Sequence, residues 1–319
     1  MTSISEIAKK AGVAKSTVSR VINHHPHVSD ETRQKVMDLI NELDYMPNQL
    51  ARDLSRGKTQ KIGVVIPHTQ HPYFTQLING LLDAAKASDY QLVMMPSDYN
   101  EELELSYLKQ LKMEAIDALI FTSRAIRLDR IETYAKYGRI VVCEKLQGYP
   151  LLSSAYLDRY SSFVDAFSAM KARGLEHLVL LFSRDNESSA TYQTALLAYH
   201  NVYGQQSTPY MVFGNIHDFN DGLHVSHELV NDDRIDGILA TSDEVAAGLI
   251  KGYEEREKKI PYIIGQERLL VGHLLKLPTI DHQSYSLGKL AFKQALSESI
   301  SQEVLISEVL ISEFLPQDN

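Results

Sequence analysis

Apolar residues in the first 45 positions recur at helical spacing in three short bursts, each closed by a turn signal. Ser3 and Glu6 form a capping box ahead of "IAKKA", and Gly12 suits a left-handed C-terminal cap, so the first helix is predicted to end after about two turns. After "GV", the segment "AKSTVSRVIN" places Val18, Val21 and Ile22 together and leaves Lys15, Ser16, Ser19 and Arg20 on other faces. Pro26 in "HHPHV" stops this second helix. "SDET" then opens a third, with Ser29 as N-cap, Asp30 and Glu31 favourable to the dipole, and Val36, Leu39, Ile40 and Leu43 as the apolar stripe. "MPNQLARDLSRGKTQK" reads as a hinge with a short helix-compatible stretch over about residues 47–57.

From Lys61 onward the pattern changes. Strand-like apolar runs ("IGVVIP", "QLVMMP", "DALIFT", "RIVVCE", "HLVLLF", "YMVF", "DGILAT", "YIIG") alternate with helical patterns at 73–88, 101–112, 160–173, 188–203 and 243–256. Such alternation predicts parallel sheets covered by helices on both faces. The strands are too many for one compact sheet, so the expected fold class is a small all-α helix-turn-helix domain over residues 1–58, followed over 59–319 by an α/β domain of two doubly wound lobes. Ligands bind such folds in the cleft at the strand C-terminal ends.

Composition narrows the class. The 319 residues are 44% hydrophobic and 23% charged, ordinary for a globular protein. No apolar run is long enough for a membrane span, and "MTSISEIAKKAG" lacks the apolar core of a secretory signal, so a cytoplasmic protein with no membrane partner is expected. Cys143 is the only cysteine, which excludes an intrachain disulfide, and its setting in "RIVVCEKL" reads as a buried, inert thiol. The net charge of −9 at pH 7 is unevenly spread. Residues 1–60 carry nine Lys and Arg against seven Asp and Glu, and the excess acid lies beyond them. A locally basic head on an acidic body suits a confined phosphate footprint.

Two helices joined by a tight glycine-containing turn match helix-turn-helix geometry, in which the second helix enters the major groove; short helical hairpins also occur in plain helical bundles. The sequence resembles the LacI/GalR family of bacterial transcriptional repressors. The resemblance runs from "SISEIAKKAGVAKSTVSRVINHHPHVSDETRQKVMDLINELDYMPNQLARDLSRGKT" through "IGVVIPHTQHPYF" and "IDALIFTS" to "PTIDHQSYSLGKLAF", and is most specific in the first 58 residues.

The resemblance implies that Lys15, Ser16 and Arg20 read bases. Arg20 is chemically the best suited, since its planar fork can bond O6 and N7 of a guanine together. Thr17, Ser19 and Asn23 are expected to contact phosphate or fix the helix. Ala14 stands where the family usually has a capping serine, a departure costing ~1 kcal/mol of helix stability. "NQLARDL" looks like the family's hinge helix, which implies that Leu54 wedges into the minor groove and kinks the duplex. A single short reading helix covers few base pairs, so a homodimer on pseudo-palindromic double-stranded operator DNA is expected.

For the larger domain the resemblance implies a periplasmic-binding-protein-like fold whose cleft holds a small-molecule effector, a carbohydrate by family habit. Tyr73 and Phe74 match family cleft aromatics, with Ser123, Asp158, Arg159, Ser188, Ser242 and Glu267 as further cleft candidates by motif position. Discriminating a polyol requires buried hydrogen-bonding groups that the wrong sugar leaves unpaired. Several positions depart from the family pattern: His68 and His71 replace an expected Asp and Asn, Ser188 stands where an effector-binding Arg is frequent, and Glu267 replaces a frequent Asp. Effector identity therefore cannot be carried over. Two histidines alone do not make a metal site, and neither a metal nor a cofactor is expected.

No P-loop, dinucleotide fingerprint, zinc-ligand series or nucleophile elbow appears, so catalysis is not expected. The expected function is repression of a carbohydrate-utilisation operon, relieved by a sugar or sugar derivative. The alternatives are a corepressor-dependent regulator, or a solute-binding protein with a degenerate head.

Overall fold

The computed structural model describes residues 3–23, 25–46, 49–184 and 189–310, which separate by contact into a unit ending at Thr59 and another beginning at Gln60. The first unit is four helices: α1 (Ile4–Ala11), α2 (Lys15–Ile22), α3 (Asp30–Glu42) and α4 (Gln49–Arg56). Local chemistry sets their ends. The Ser3 hydroxyl accepts from Glu6 N, Gly12 adopts φ 68 and closes α1, and Ser29 caps α3 by accepting from Thr32 N. Ile7, Ala8, Ala11, Val18, Val21 and Val36 are buried where α1, α2 and α3 meet, with Leu39, Ile40 and Leu43 partly buried around them.

The second unit contains two six-stranded sheets. The N-terminal lobe uses β1 (Lys61–Ile66), β2 (Gln91–Pro96), β3 (Ala118–Phe121), β4 (Arg139–Val142), β5 (Ser153–Asp158) and β11 (Gln302–Ile306), in the order β2-β1-β3-β4-β5-β11. The C-terminal lobe uses β6 (Leu178–Leu181), β7 (Met211–Phe213), β8 (Gly237–Leu239), β9 (Tyr262–Gln266), β10 (Thr279–Asp281) and β12 (Glu308–Leu310), in the order β7-β6-β8-β9-β10-β12. All pairings are parallel except β10 with β12. The order reverses on either side of β1 and of β6, which opens a crevice at the carboxyl ends of the strands. Alternation sorts the core: Ile62, Val64 and Ile66 of β1 face one layer and Val65 the other, as Val179 and Leu181 of β6 oppose Leu178 and Leu180.

The helices of this unit are α5 (Pro72–Lys86), α6 (Glu101–Lys112), α7 (Leu128–Glu132), α8 (Arg159–Ala172), α9 (Ala190–Tyr203), α10 (Phe219–Leu229), α11 (Asp243–Glu254), α12 (Leu270–Leu275) and α13 (Ser284–Ala295). The eight strand-like runs read from the sequence are all strands, but β5, β10, β11 and β12 were not anticipated. "SSAYLD" mixes polar and apolar positions, β11 pairs with β5 far back in the chain, and β10 and β12 are only three residues each. The 188–203 helical pattern begins at Ala190, after the cap Ser189. β4 stops at Val142, one residue before Cys143, although Cys143 N still donates to Phe121 O.

The chain crosses between lobes three times. α8 follows β5 but packs Phe163, Phe167 and Met170 into the C-terminal lobe; α13 follows β10 but packs Leu287, Ala291 and Phe292 into the N-terminal lobe; β11 and β12 flank Ser307. His282, fully buried at the second crossing, places Nδ1 3.0 Å from Ser307 Oγ and Nε2 2.8 Å from Gln266 Oε1, with its ring 6.1 Å from Phe163. Gln266 Nε2 donates to Ala240 O, so its Oε1 accepts, and His282 carries its proton on Nε2.

Each lobe has one very close helix crossing. A Cβ on Gly80 of α5 would lie 1.9 Å from Tyr285 O of α13, and one on Gly248 of α11 would lie 2.1 Å from Phe219 O of α10. Gly80→Ala should therefore lower unfolding free energy by about 1–3 kcal/mol despite alanine's better helix propensity. Urea titration of the purified chain measures this, and unchanged or raised stability would show that the two backbones do not approach so closely.

Candidate DNA-reading face and effector cleft

Burial of Val18 and Val21 against α1 and α3 determines which side of α2 faces outward. Lys15, Ser16 and Arg20 are exposed, Thr17 and Ser19 half-buried at the margins, and Asn23 exposed at the end, where its Nδ2 donates to Ser19 Oγ at 3.4 Å. The three expected base readers thus share the solvent face: Lys15 and Ser16 open the helix, the end that reaches base edges in helix-turn-helix docking, and Arg20 follows in its last turn. Ala14 occupies the N-cap with extended backbone and no side-chain cap, leaving a helix N–H without the usual acceptor. Leu54 lies on α4 and is 87% exposed.

The crevice of the second unit gathers most of the expected effector residues. Tyr73 and Phe74, at the start of α5, are buried in the N-terminal-lobe core and also turn ring surface toward the cleft: the Arg159 guanidinium lies 5.0 Å from the Tyr73 centroid, and the His68 ring meets Phe74 edge-on at 5.0 Å. Ser123 Oγ donates to Tyr99 Oη at 3.4 Å. Asp158 caps α8, accepting from Tyr160 N and Ser161 Oγ, and Arg159 Nη1 donates to Thr191 Oγ1. Ser242, fully buried, commits its hydroxyl to capping α11. Ser188 lies outside the described residues.

Glu267 is the most constrained of the set. It follows β9 with φ 79, and Arg268 after it has φ 47, so two consecutive non-glycine residues take the left-handed region. The turn buries the Glu267 side chain to 3% exposure, where Ser284 Oγ donates to Oε2 at 2.7 Å while Gln76 Nε2 donates to the Glu267 carbonyl at 2.7 Å. Burial drives its carboxyl up to about 7, against the lowering influence of Arg159 and of the Ser284 hydrogen bond. Both bonding partners belong to the opposite lobe.

Other groups also meet across the cleft: His68 and His71, noted in the sequence as departures from the family pattern, and Tyr99, Arg184 and His217, which the sequence did not single out. His71 accepts from Tyr73 N at Nδ1 and therefore donates from Nε2 to Thr241 O at 3.2 Å; burial, with Arg159, pushes it down to about 3, so it is neutral. Arg184 stacks on Tyr99 at 4.2 Å, and His217 meets His68 at 5.6 Å. These residues come from loops between elements, where periodicity carries no signal. Burial pushes the Cys143 thiol up to about 12, so it stays protonated. Among the described residues no group of three or more His, Cys, Asp or Glu could hold a metal ion, and no helix is long and apolar enough to cross a membrane.

Comparison with known proteins decides the class. The family model for periplasmic binding proteins and the sugar binding domain of the LacI family matches residues 59–311, and that for bacterial regulatory proteins of the lacI family matches residues 3–48. The chain belongs to the LacI family. It is a LacI-family transcriptional regulator, 37% identical over 299 residues to Catabolite control protein B of Bacillus subtilis (strain 168), covering 93% of this chain and 95% of that one. The lac repressor dimer bound to operator and the anti-inducer ONPF shares the fold of this LacI-family chain with a TM-score of 0.81 at 19% identity, over 98% of each chain. A LacI family regulator from Lactobacillus casei with bound glucose superposes with a TM-score of 0.69 at 22% identity, over 80% of this chain and 99% of that one.

Two outcomes test this geometry. Ala14→Ser should restore the cap and raise the stability of the head by ~1 kcal/mol, read by thermal melting, whereas no gain would mean that the helix start is satisfied some other way. For Glu267, a folded pKa of about 7 against 4.5 unfolded means that the folded state holds a proton the unfolded chain releases, so stability falls as pH rises through that window. Relative to Glu267→Gln, the native protein should lose on the order of 3 kcal/mol between pH 4.5 and 7. Parallel stability-versus-pH curves for the two would refute the burial of this carboxyl.

Proposed function

We propose that this regulator is a cytoplasmic, homodimeric repressor that reads a pseudo-palindromic operator and is released by a carbohydrate effector bound in the interlobe cleft. The observation that carries this reading is the outward face of α2, where Lys15, Ser16 and Arg20 stand exposed on a helix held rigid by its buried apolar side. Thr17, Ser19 and Asn23 position the helix on phosphates, and Leu54 enters the minor groove. The dimer follows from the few base pairs one such helix covers, and the exposed Leu270 and Leu274 of α12, 73% and 71% accessible, supply apolar surface for a second copy.

The effector residues on this reading are Tyr73, Phe74, Ser123, Asp158, Arg159, Ser242 and Glu267, joined by Ser188. An effector changes operator affinity only by its differential affinity for two lobe arrangements. The contacts of Glu267 with Gln76 and Ser284 and of His71 with Thr241 are the interlobe bonds such a ligand would make or break. Relatives support the carbohydrate class: one is named Ribose operon repressor, 28% identical over 315 residues. Binding rather than chemical conversion is the role assigned to the cleft.

Selection of bound sequences from a random DNA pool at a fixed, stated salt concentration tests the reading directly. An enriched pseudo-palindrome is expected, and its absence would count against an operator reader. On the selected operator, Arg20→Ala should weaken binding by about 1–3 kcal/mol and relax preference at one base pair per half-site. An unchanged preference would remove Arg20 from base reading.

A further inference from the structure

Two ring nitrogens in the cleft stand out because nearly everything around them is satisfied. Nδ1 of His68, after β1, and Nδ1 of His217, before α10, are both buried without a hydrogen-bond partner. Their rings come from opposite lobes and meet edge-to-face at 5.6 Å. Buried polar atoms are paired in folded proteins, so two orphans on adjacent rings mark a place where another molecule completes the bonding.

The charge around this pair that is left without a partner is positive. The Arg184 guanidinium lies on Tyr99, beside His68, and Arg159 lies on Tyr73; neither belongs to an ion pair among the described residues. The nearby carboxylates are engaged or exposed. Asp158 caps α8, Asp218 caps α10, and Asp221 accepts from His217 N. Glu267 is held by Ser284, and Asp98 faces His68 from the solvent side.

We propose that the effector carries an anionic group, a phosphate or a carboxylate, seated between His68 and His217 within reach of Arg184, with its carbon framework against Tyr99 and Phe74. This rests on the reading of the cleft as an effector site. The ring N–H groups donate to the anionic oxygens, and the His68 imidazole binds best when protonated. In the free protein His68 is held below its usual range by burial, then by His217 and, more weakly, Arg184, with Asp98 opposing them. A bound anion reverses that balance, so binding takes up protons and strengthens as pH falls from 8 to 6.

Calorimetry on the full-length protein tests this with matched neutral and anionic ligands: glucose, glucose 6-phosphate and gluconate, and ribose with ribose 5-phosphate, each in two buffers of different ionisation enthalpy. The expected result is that at least one anionic member binds tenfold or more tighter than its neutral counterpart, with net proton uptake at pH 7. The phosphate and carboxylate arms separate the two anion types. His217→Ala should erase the tenfold preference. His68→Gln, which keeps a donor without titrating, should retain binding and reduce the proton uptake. A neutral sugar binding as tightly as its anionic partner would overturn the anion proposal and leave the effector site standing. No binding by any member would overturn both.

Discussion

The cleft depends on one neutral imidazole. Three chain crossings join the lobes, and His282 ties the second to the third through Ser307, to β9 through Gln266, and to the start of the C-terminal-lobe helix α8 through Phe163. Both ring nitrogens are used, one as acceptor and one as donor, which only the neutral tautomer allows. Burial holds His282 well below its ordinary pKa, with Arg159 and His71 adding to the effect. Losing either bond would leave a buried polar atom unpaired where the chain crosses between the lobes.

The same economy governs the cleft itself. Glu267 offers its carboxyl to Ser284 and its carbonyl to Gln76, while His71 bonds Thr241, so residues at the proposed effector site also fasten lobe to lobe. On the proposed reading, a ligand entering there would compete with or complete these bonds, and the lobe arrangement would respond to the difference. The left-handed backbone at Glu267 and Arg268 is local strain, tolerated because the surrounding hydrogen bonds over-determine the turn.

Much of this was legible before folding. Capping residues Ser3, Gly12 and Ser29 act over three or four positions, so their signals survive in the linear sequence, and the missing cap at Ala14 was equally visible. Among the eight apolar runs, those of β1, β3, β4, β6, β8 and β9 became strands buried on both faces, which demands continuous hydrophobicity, while β2 and β7 form partly covered sheet edges. β5, β10, β11 and β12 were hidden because β5 mixes polar and apolar positions, β10 and β12 are only three residues each, and β11 pairs far back in the chain. The family resemblance brought Tyr73, Arg159 and Glu267 toward one cleft, but it passed over His217, Arg184 and Tyr99, whose loop positions have no periodic signature.

By itself the sequence determined the helix boundaries of the head, the outward chemistry of α2, the two-lobe architecture and the family, because each rests on local periodicity, capping or a contiguous motif. Only tertiary structure decided which groups meet across the cleft, that Glu267 is buried and bonded to the opposite lobe, and that His282 ties the crossings between the lobes. Those facts join residues that lie far apart in the chain, from 16 between Gln266 and His282 to 191 between Gln76 and Glu267. Protonation follows the same division: a histidine or glutamate is ordinary in sequence, and only burial among particular neighbours moves its pKa.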